Sequence, residues 1–250
     1  LTLAAYFSRR AIPPSFKHIF WSFVLLGLPV ALIAMQPDLG TGLLIGVSGI
    51  FVLLLVGISW KLVFSALGAG ILSIPAVWIF YLKDYQQQRI LTFLNSDNDP
   101  LGAGWNIIQS KTAIGSGGLY GKGWLNGVQS RLDFLPEGQT DFIVAVLAEE
   151  FGLAGVFFLL VLYLSIIARG LYISAVSSDM FTRLLAGSIT LTFFVYVFVN
   201  IGMVSGILPV VGVPLPMVSL GGTSIVTLML GFGILMSIRS HVKTAFRYAN

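Results

Sequence analysis

Six long apolar segments limit what this chain can fold into. They cover residues 19–36, 41–59, 62–82, 142–168, 184–207 and 221–238. Each has about the twenty residues that a helix needs to cross the hydrocarbon core of a bilayer. Because lipid offers no hydrogen-bond partner to an open backbone, these segments are predicted to be helices packed on one another. The fold expected is all-α: one polytopic membrane helix bundle over residues 1–250, with about six spanning helices.

Composition excludes the main alternatives. Hydrophobic residues make up 56% of the chain and charged residues 10%, whereas about a quarter of a soluble domain is charged. The net charge of +4 comes from cations spread between the apolar segments, which excludes nucleic acid as a partner. The chain has no cysteine, and its two histidines, His18 and His241, do not form a zinc-type cluster. Any metal would be a hard divalent cation such as Mg or Mn on carboxylates.

Lysine and arginine predict the orientation, because cytoplasmic loops retain the positive charges. The connections at 37–40 and 208–220 carry neither residue, and the long loop at 83–140 is therefore expected to face the extracytoplasmic side. The chain begins at Leu1 with an apolar stretch that resembles the end of an earlier helix, so a larger bundle is expected. The cations of the opposite, cytoplasmic side are Arg9, Arg10, Lys17, Lys61, Arg169, Arg183, Arg239, Lys243 and Arg247.

The long loop at 83–140 is too long to lack structure in a compact protein. Apolar residues at helical spacing over 105–114 predict a short interfacial helix, with Trp105 and Trp124 at the level of the lipid headgroups. The glycines at 115–118 and 121–123 let backbone N–H groups approach an anion, while nearby lysine and arginine supply charge. Turns alone are the alternative explanation for these glycines.

Carboxylates mark the point where this loop becomes apolar. Glu137 and Asp141 precede the fourth segment, where an acid is either a helix N-cap or a functional group. Glu149 and Glu150 lie inside that segment. A carboxylate there costs a few kcal/mol, so a polar partner or cavity is expected. A salt bridge between helices or a hydrogen bond to backbone is the structural alternative.

Two apolar runs are interrupted by proline and glycine. At 36–40 the sequence Gln-Pro-Asp-Leu-Gly predicts a turn in which Asp38 caps the next helix. At 200–216 three prolines and three glycines break a potential helix, and such backbone must be buried in protein or line a cavity. The helix then restarts with hydroxyls, including Ser219 and Thr223, that suit an anionic or carbohydrate ligand. A re-entrant loop that only packs is the alternative.

Four motifs, in order, resemble the SEDS family of membrane proteins, and most closely its rod-shape branch. They are Gln-Pro-Asp-Leu-Gly at 36–40, Gln-Ser-Lys-Thr-Ala-Ile-Gly-Ser-Gly-Gly-Leu at 109–119, Leu-Pro-Glu-x-x-Thr-Asp-Phe-Ile at 135–143, and Asn-x5-Gly-x2-Pro-x2-Gly-x-Pro-x-Pro at 200–216. The chain corresponds to the last six of about ten spans. It departs from the family at Gln139, where histidine is usual, and at Leu220, where an aromatic or small residue is usual.

The resemblance implies a peptidoglycan glycosyltransferase. Such an enzyme polymerises lipid II into a nascent glycan strand at the outer face of the cytoplasmic (inner) membrane, for cell elongation and rod shape, beside a class B penicillin-binding transpeptidase. Asp141 matches the family's essential acid. It is expected to act as general base in an inverting transfer from an undecaprenyl-diphosphate-linked donor, or to hold a divalent cation. Expected supporting or substrate-binding residues are Glu137, Asp38, Lys111, Lys122, Arg131, Gln109, Ser110, Ser219 and Thr223.

Two other functions fit the same features. A flippase or transporter of lipid-linked precursors would also use broken helices and membrane carboxylates, and it predicts that Glu149 and Glu150 matter more than Asp141. A non-catalytic scaffold of the wall-synthesis complex predicts that Asp141→Asn is harmless.

Overall fold

The described chain is helical throughout its regular structure. The computed structural model describes residues 1–10, 13–36, 39–80, 82–94, 103–132, 134–135 and 137–248. In these residues ten helices follow one another with no strand between them, as the all-α prediction requires. They are α1 (Thr2–Ser8), α2 (Phe16–Met35), α3 (Leu39–Val56), α4 (Trp60–Phe80), α5 (Asp84–Leu94), α6 (Ala103–Gly117), α7 (Val128–Arg131), α8 (Ile143–Val176), α9 (Met180–Val204) and α10 (Gly222–Tyr248).

Five of these helices are long and apolar enough to cross a membrane. They are α2, α4, α8, α9 and the Gly222–His241 part of α10, and they coincide with five of the six predicted segments. The remaining segment corresponds to α3, whose apolar stretch Gly40–Val56 is shorter. The predicted polytopic membrane bundle is confirmed, with five candidate spans in the described residues.

The chain divides into two compact units. Unit 1 comprises Leu1–Ile58, Val161–Val197 and Gly221–Asn250. Small residues let its helices approach closely, as is common between membrane helices. A side chain on Gly170 would overlap Thr190, and one on Gly187 would overlap Leu55. The core of this unit is formed by Leu3, Ala4, Phe7, Val52, Leu53, Val56, Ile173, Leu184, Leu185, Ala186, Leu235 and Ile238.

Unit 2 comprises Ser59–Leu160 and Phe198–Leu220 and holds the long loop. Helices α5, α6 and α7 give that loop regular structure. The helix predicted over 105–114 is confirmed as α6, which is longer by a few residues at each end. The indole Nε1 of Trp105 donates to the carbonyl of Phe134 at 2.9 Å and ties α6 to the residues before α8. The depth of Trp105 and Trp124 in a membrane stays a prediction.

Helix α8 is broken at Gly152. Its φ of 67° and ψ of −166° lie outside the helical region, so backbone groups on either side lose their partners within the helix. The segment 117–123, which begins at the last residue of α6, satisfies them. Four hydrogen bonds join the two: Lys122 N to Glu149 O (3.0 Å), Gly123 N to Glu150 O (2.9 Å), Leu153 N to Gly118 O (2.9 Å) and Ala154 N to Leu119 O (3.0 Å).

Glycines allow this backbone-to-backbone contact. A side chain on Gly117 would overlap the carbonyl of Ala148, and one on Gly121 would overlap the carbonyl of Glu150. Gly121 also has a φ of +78°, which favours glycine. These two glycines of the predicted anion-binding segment therefore serve close approach to α8.

Candidate active site

Asp141 lies in a tight turn just before α8. The carbonyl of Glu137 accepts the N–H groups of Thr140 (3.2 Å) and Phe142 (3.1 Å). The hydroxyl of Thr140 donates to the Glu137 carboxylate at 2.6 Å. Phe142, with 1% of its surface exposed, anchors the end of the turn, and α8 begins at the next residue. Among the described residues no hydrogen bond to the Asp141 carboxylate occurs, so helix capping does not account for this acid.

Three successive carbonyl groups of this turn are bound by donors from the segment 200–220. This segment contains the end of α9 and the broken backbone that follows it. The turn is therefore held from outside as well as by its own hydrogen bonds. The pairs are Leu220 N with Gln139 O (2.9 Å), Ser219 Oγ with Thr140 O, and Asn200 Nδ2 with Asp141 O (2.9 Å).

The two side chains in this set also fold the segment 200–220 on itself. Asn200 donates its second amide hydrogen to the carbonyl of Val213 at 2.7 Å. The hydroxyl oxygen of Ser219 accepts the N–H of Leu215 at 2.7 Å. Both side chains are buried. The broken segment therefore packs, as the structural alternative stated, and it also supports the candidate acid.

The surroundings of Asp141 favour its protonated form. Burial raises the pKa of this carboxyl above its ordinary value, and the nearby charge of Glu137 raises the pKa further. Gly212 is close by, since a Cβ built on it would lie 3.5 Å from Asp141 Oδ2. A carboxylate with a raised pKa is better matched to accept a proton near neutral pH.

Lys122 and Glu149 form an ion pair. Lys122 Nζ lies 2.8 Å from Glu149 Oε1, with Glu149 fully buried and the Lys122 side chain 30% exposed. The same carboxylate accepts the backbone N–H groups of Val128 (2.8 Å) and Gln129 (3.2 Å) at the start of α7. For Glu149, the backbone hydrogen bond expected as an alternative is present, and the salt bridge is made by Lys122, which lies in the segment after α6 and not in a second helix. A diphosphate contact by Lys122 stays a prediction, and in this structure its ammonium is engaged.

Helix α6 carries three of the predicted residues. Ser110 is fully buried, and its hydroxyl lies 2.9 Å from the carbonyl of Val204 at the end of α9. The exposed Lys111 extends over Gly206, where a Cβ would meet the lysine Nζ at 2.6 Å. Gln109 is half-buried on the same helix. The hydroxyl of Ser110 thus ties α6 to α9, and Lys111 presents an exposed cation, whereas the roles of Gln109, Ser110 and Lys111 at the site stay predictions.

Three predicted residues remain. Arg131 is exposed at the end of α7. Thr223 is exposed in the first turn of α10, in unit 1. Asp38 lies outside the described residues. The roles of all three residues stay predictions.

Sequence reasoning missed the role of Asn200 and the position of Gly212 beside Asp141. Both residues belonged to a motif, but no role was predicted for either. The available signal was the amide of Asn200, a polar group near the end of a long apolar helix, which must find a partner in a membrane protein. The φ of +78° at Gly212 had no sequence signal beyond the glycine itself.

Two carboxylates in this region, those of Asp141 and Glu137, are the candidate ligands for a divalent cation. In the described part of the chain no three or more His, Cys, Asp or Glu side chains converge. Asp141 and Glu137 are close enough for one charge to affect the other. Mg²⁺ typically uses one or two carboxylates together with substrate phosphates, and the residue types present fit that mode.

Known proteins resemble this chain over almost its full length. A family of cell cycle proteins named after FtsW, RodA and SpoVE matches residues 1–244. The peptidoglycan glycosyltransferase MrdB of Escherichia coli is 56% identical over 243 residues, which is 97% of this chain and 66% of the relative. The chain thus spans just under two thirds of that relative's length.

Two solved structures share the fold. A chain from a peptidoglycan synthase complex that coordinates polymerization and crosslinking superposes with a TM-score of 0.79 at 30% identity, covering 95% of this chain and 66% of that one. A mutant of the rod shape determining protein RodA of Thermus thermophilus superposes with a TM-score of 0.58 at 25% identity, covering 95% and 61%. The resemblance carried by the four motifs is confirmed: the chain belongs to the FtsW, RodA and SpoVE family of cell cycle proteins, the SEDS family.

Proposed function

We propose that this protein is a peptidoglycan glycosyltransferase that polymerises lipid II at the outer face of the cytoplasmic membrane, for cell elongation and rod shape. The names of its relatives support the reaction class. One observation supports the assignment of the catalytic role to Asp141. The Asp141 carboxylate is partly buried, has a raised pKa and sits on a turn fixed by hydrogen bonds at three consecutive carbonyls.

Asp141 would act as general base. The acceptor sugar hydroxyl attacks the anomeric carbon of the donor, and a new C–O bond forms as the bond from that carbon to the diphosphate breaks. The hydroxyl proton passes to Asp141, and undecaprenyl diphosphate leaves with the bonding electron pair. Because attack and departure occur on opposite faces of one carbon, the configuration inverts without a covalent intermediate.

Exposed cations of unit 2 would bind the diphosphate. Lys111 and Arg131 are exposed, whereas Lys122 is engaged with Glu149. Asp141, with Glu137 beside it, is the residue that would hold a divalent cation, which when bound neutralises phosphate charge. Activity that disappears on chelation and returns with Mg²⁺ or Mn²⁺ supports this second role, and activity insensitive to chelation removes it.

A transporter is the weaker candidate. It needs acids within the spans that are free to bind a substrate or a proton. Glu149 instead accepts hydrogen bonds from Lys122 and from two backbone N–H groups, which fixes it in a structural position.

The expected partners are lipid II, the glycan strand, membrane lipid and a class B penicillin-binding transpeptidase. The similar chain from a peptidoglycan synthase complex supports the last of these, because that complex coordinates polymerization with crosslinking.

The test is polymerisation of lipid II by the purified full-length protein with its transpeptidase. Asp141→Asn removes the base at nearly constant shape and is expected to lower the rate at least about 10²-fold. Asp179→Asn is the matched control, since Asp179 is an exposed acid that binds the N–H of Thr182 in unit 1. Equal polymer from wild type and Asp141→Asn would contradict the proposal and favour a scaffold.

A further inference from the structure

We infer that Asn200 and Ser219 are positioning residues that place the Asp141 carboxylate by holding the backbone on which it stands. Neither side chain touches the carboxylate itself. Each donates to a carbonyl of the turn, Asn200 to that of Asp141 and Ser219 to that of Thr140. The inference rests on the proposed role of Asp141 as general base.

The contacts are specific to these two side-chain types. The amide of Asn200 donates both of its hydrogens to carbonyls of separate segments, that of Asp141 at 2.9 Å and that of Val213 at 2.7 Å. The hydroxyl of Ser219 donates to Thr140 and accepts from Leu215 N at 2.7 Å. An apolar side chain at either position would leave carbonyls or an N–H group buried without a partner. Only a side chain that can form two hydrogen bonds at once joins the Asp141 turn to a second backbone segment in this way.

Two features of this arrangement cost free energy that packing alone would not require. The Oδ1 atom of Asn200 is buried, and no partner for it exists among the described residues. Met217, two residues before Ser219, has a φ of +65°, which is strained for a side chain of this size. Costs of this kind persist where the surrounding structure fixes a functional geometry. Here one of the two costs lies on Asn200 itself, and the other lies two residues before Ser219.

If the turn had only a structural role, small shifts of its backbone would be tolerated. A turn that carries a general base does not tolerate such shifts, because displacement of a reacting group by about 1 Å can cost about 10²-fold in rate. Loss of either donor is therefore expected to lower kcat and leave KM within about twofold.

The experiment compares four variants of the full-length protein with its transpeptidase, using lipid II as substrate. Ser219→Ala removes the hydroxyl, and Ser219→Thr retains it. Asn200→Leu removes both amide donors at similar size. Ser177→Ala is the control, because Ser177 is equally buried and its hydroxyl donates to the carbonyl of Ile173 in the last turn of α8, in unit 1. For each variant kcat, KM and the thermal midpoint are measured, beside Asp141→Asn.

The inference predicts a fall in kcat of about tenfold for Ser219→Ala and about 10²-fold for Asn200→Leu, with KM within about twofold. Ser219→Thr should recover most of the rate, and Ser177→Ala should keep the wild-type rate. The inference is overturned if Asp141→Asn is inactive while Ser219→Ala keeps the wild-type kcat. An active Asp141→Asn would instead overturn the proposed function, and the positioning role with it.

Discussion

The ammonium of Lys122 lies 2.8 Å from the carboxylate of Glu149, a side chain with no exposed surface. Lys122 belongs to the segment after α6, and Glu149 lies one turn before the break in α8. The pair thus joins the same two stretches that exchange backbone hydrogen bonds around Gly152. It fixes the glycine-rich segment to the helix that begins beside Asp141.

Lys122→Met should destabilise the protein by about 2 kcal/mol. Breaking a buried ion pair typically costs 3–5 kcal/mol because the remaining charge stays buried. Here the cost is smaller, since Lys122 is partly exposed and two backbone N–H groups still bind Glu149. Unfolding of the purified full-length protein measures it. Lys122→Met combined with Glu149→Gln should recover part of the loss, and strict additivity in this double-mutant cycle would rule out the coupling.

Glu137→Gln should move the acid limb of polymerisation to lower pH. The charge of Glu137 is one of the two causes that raise the pKa of Asp141, and its removal lowers that pKa. Asp141 then stays ionised, and able to accept a proton, in more acidic solution. The measurement is kcat/KM against pH with lipid II, and Asp179→Asn serves as the control. An acid limb at the wild-type position would mean that Glu137 does not act on the base.

Asp141→Asn should raise the thermal midpoint at neutral pH while it abolishes activity. Because the folded state raises the pKa of this carboxyl, the folded chain binds the proton more tightly than the unfolded chain does. The free energy of unfolding therefore falls as the pH rises from the ordinary aspartate range through the raised pKa. Asparagine has no such dependence. The gain should be about 2 °C at neutral pH and should vanish in acid. A midpoint difference that does not change with pH would contradict this origin.

Much of the fold could be predicted because its cause is local. Apolar runs of membrane-crossing length gave five helices, and the spacing of apolar residues over 105–114 gave α6. The position of Asp141 could also be read locally, from an acid placed just before such a run. Physical rules that act within about twenty residues need no knowledge of the rest of the chain.

The support of the site could not be predicted, because its cause is distant in the sequence. Asn200 bonds to a carbonyl 59 residues away, and Ser219 to one 79 residues away. Gly152 stands in a long apolar helix where glycine is common, so no local pattern marked the break. The roles of these residues emerge only when the segments that satisfy their backbone groups are placed beside them.

Gly117→Ala and Gly115→Ala should have opposite effects on stability, although both residues lie in α6. A Cβ on Gly117 would overlap the backbone carbonyl of Ala148, which cannot move without disturbing α8, whereas a Cβ on Gly115 would meet nothing within 4 Å. Alanine is favoured over glycine inside a helix by roughly 0.5–1 kcal/mol, so Gly115→Ala should be neutral or stabilising. Gly117→Ala should cost about 2 kcal/mol or more, as overpacking of a tight contact does. Thermal unfolding of the full-length protein compares the two, and protease sensitivity of the loop reports whether the segment 117–123 has left α8. Equal stability of both variants would mean that this segment does not dock at the break, and that its glycines serve turns alone.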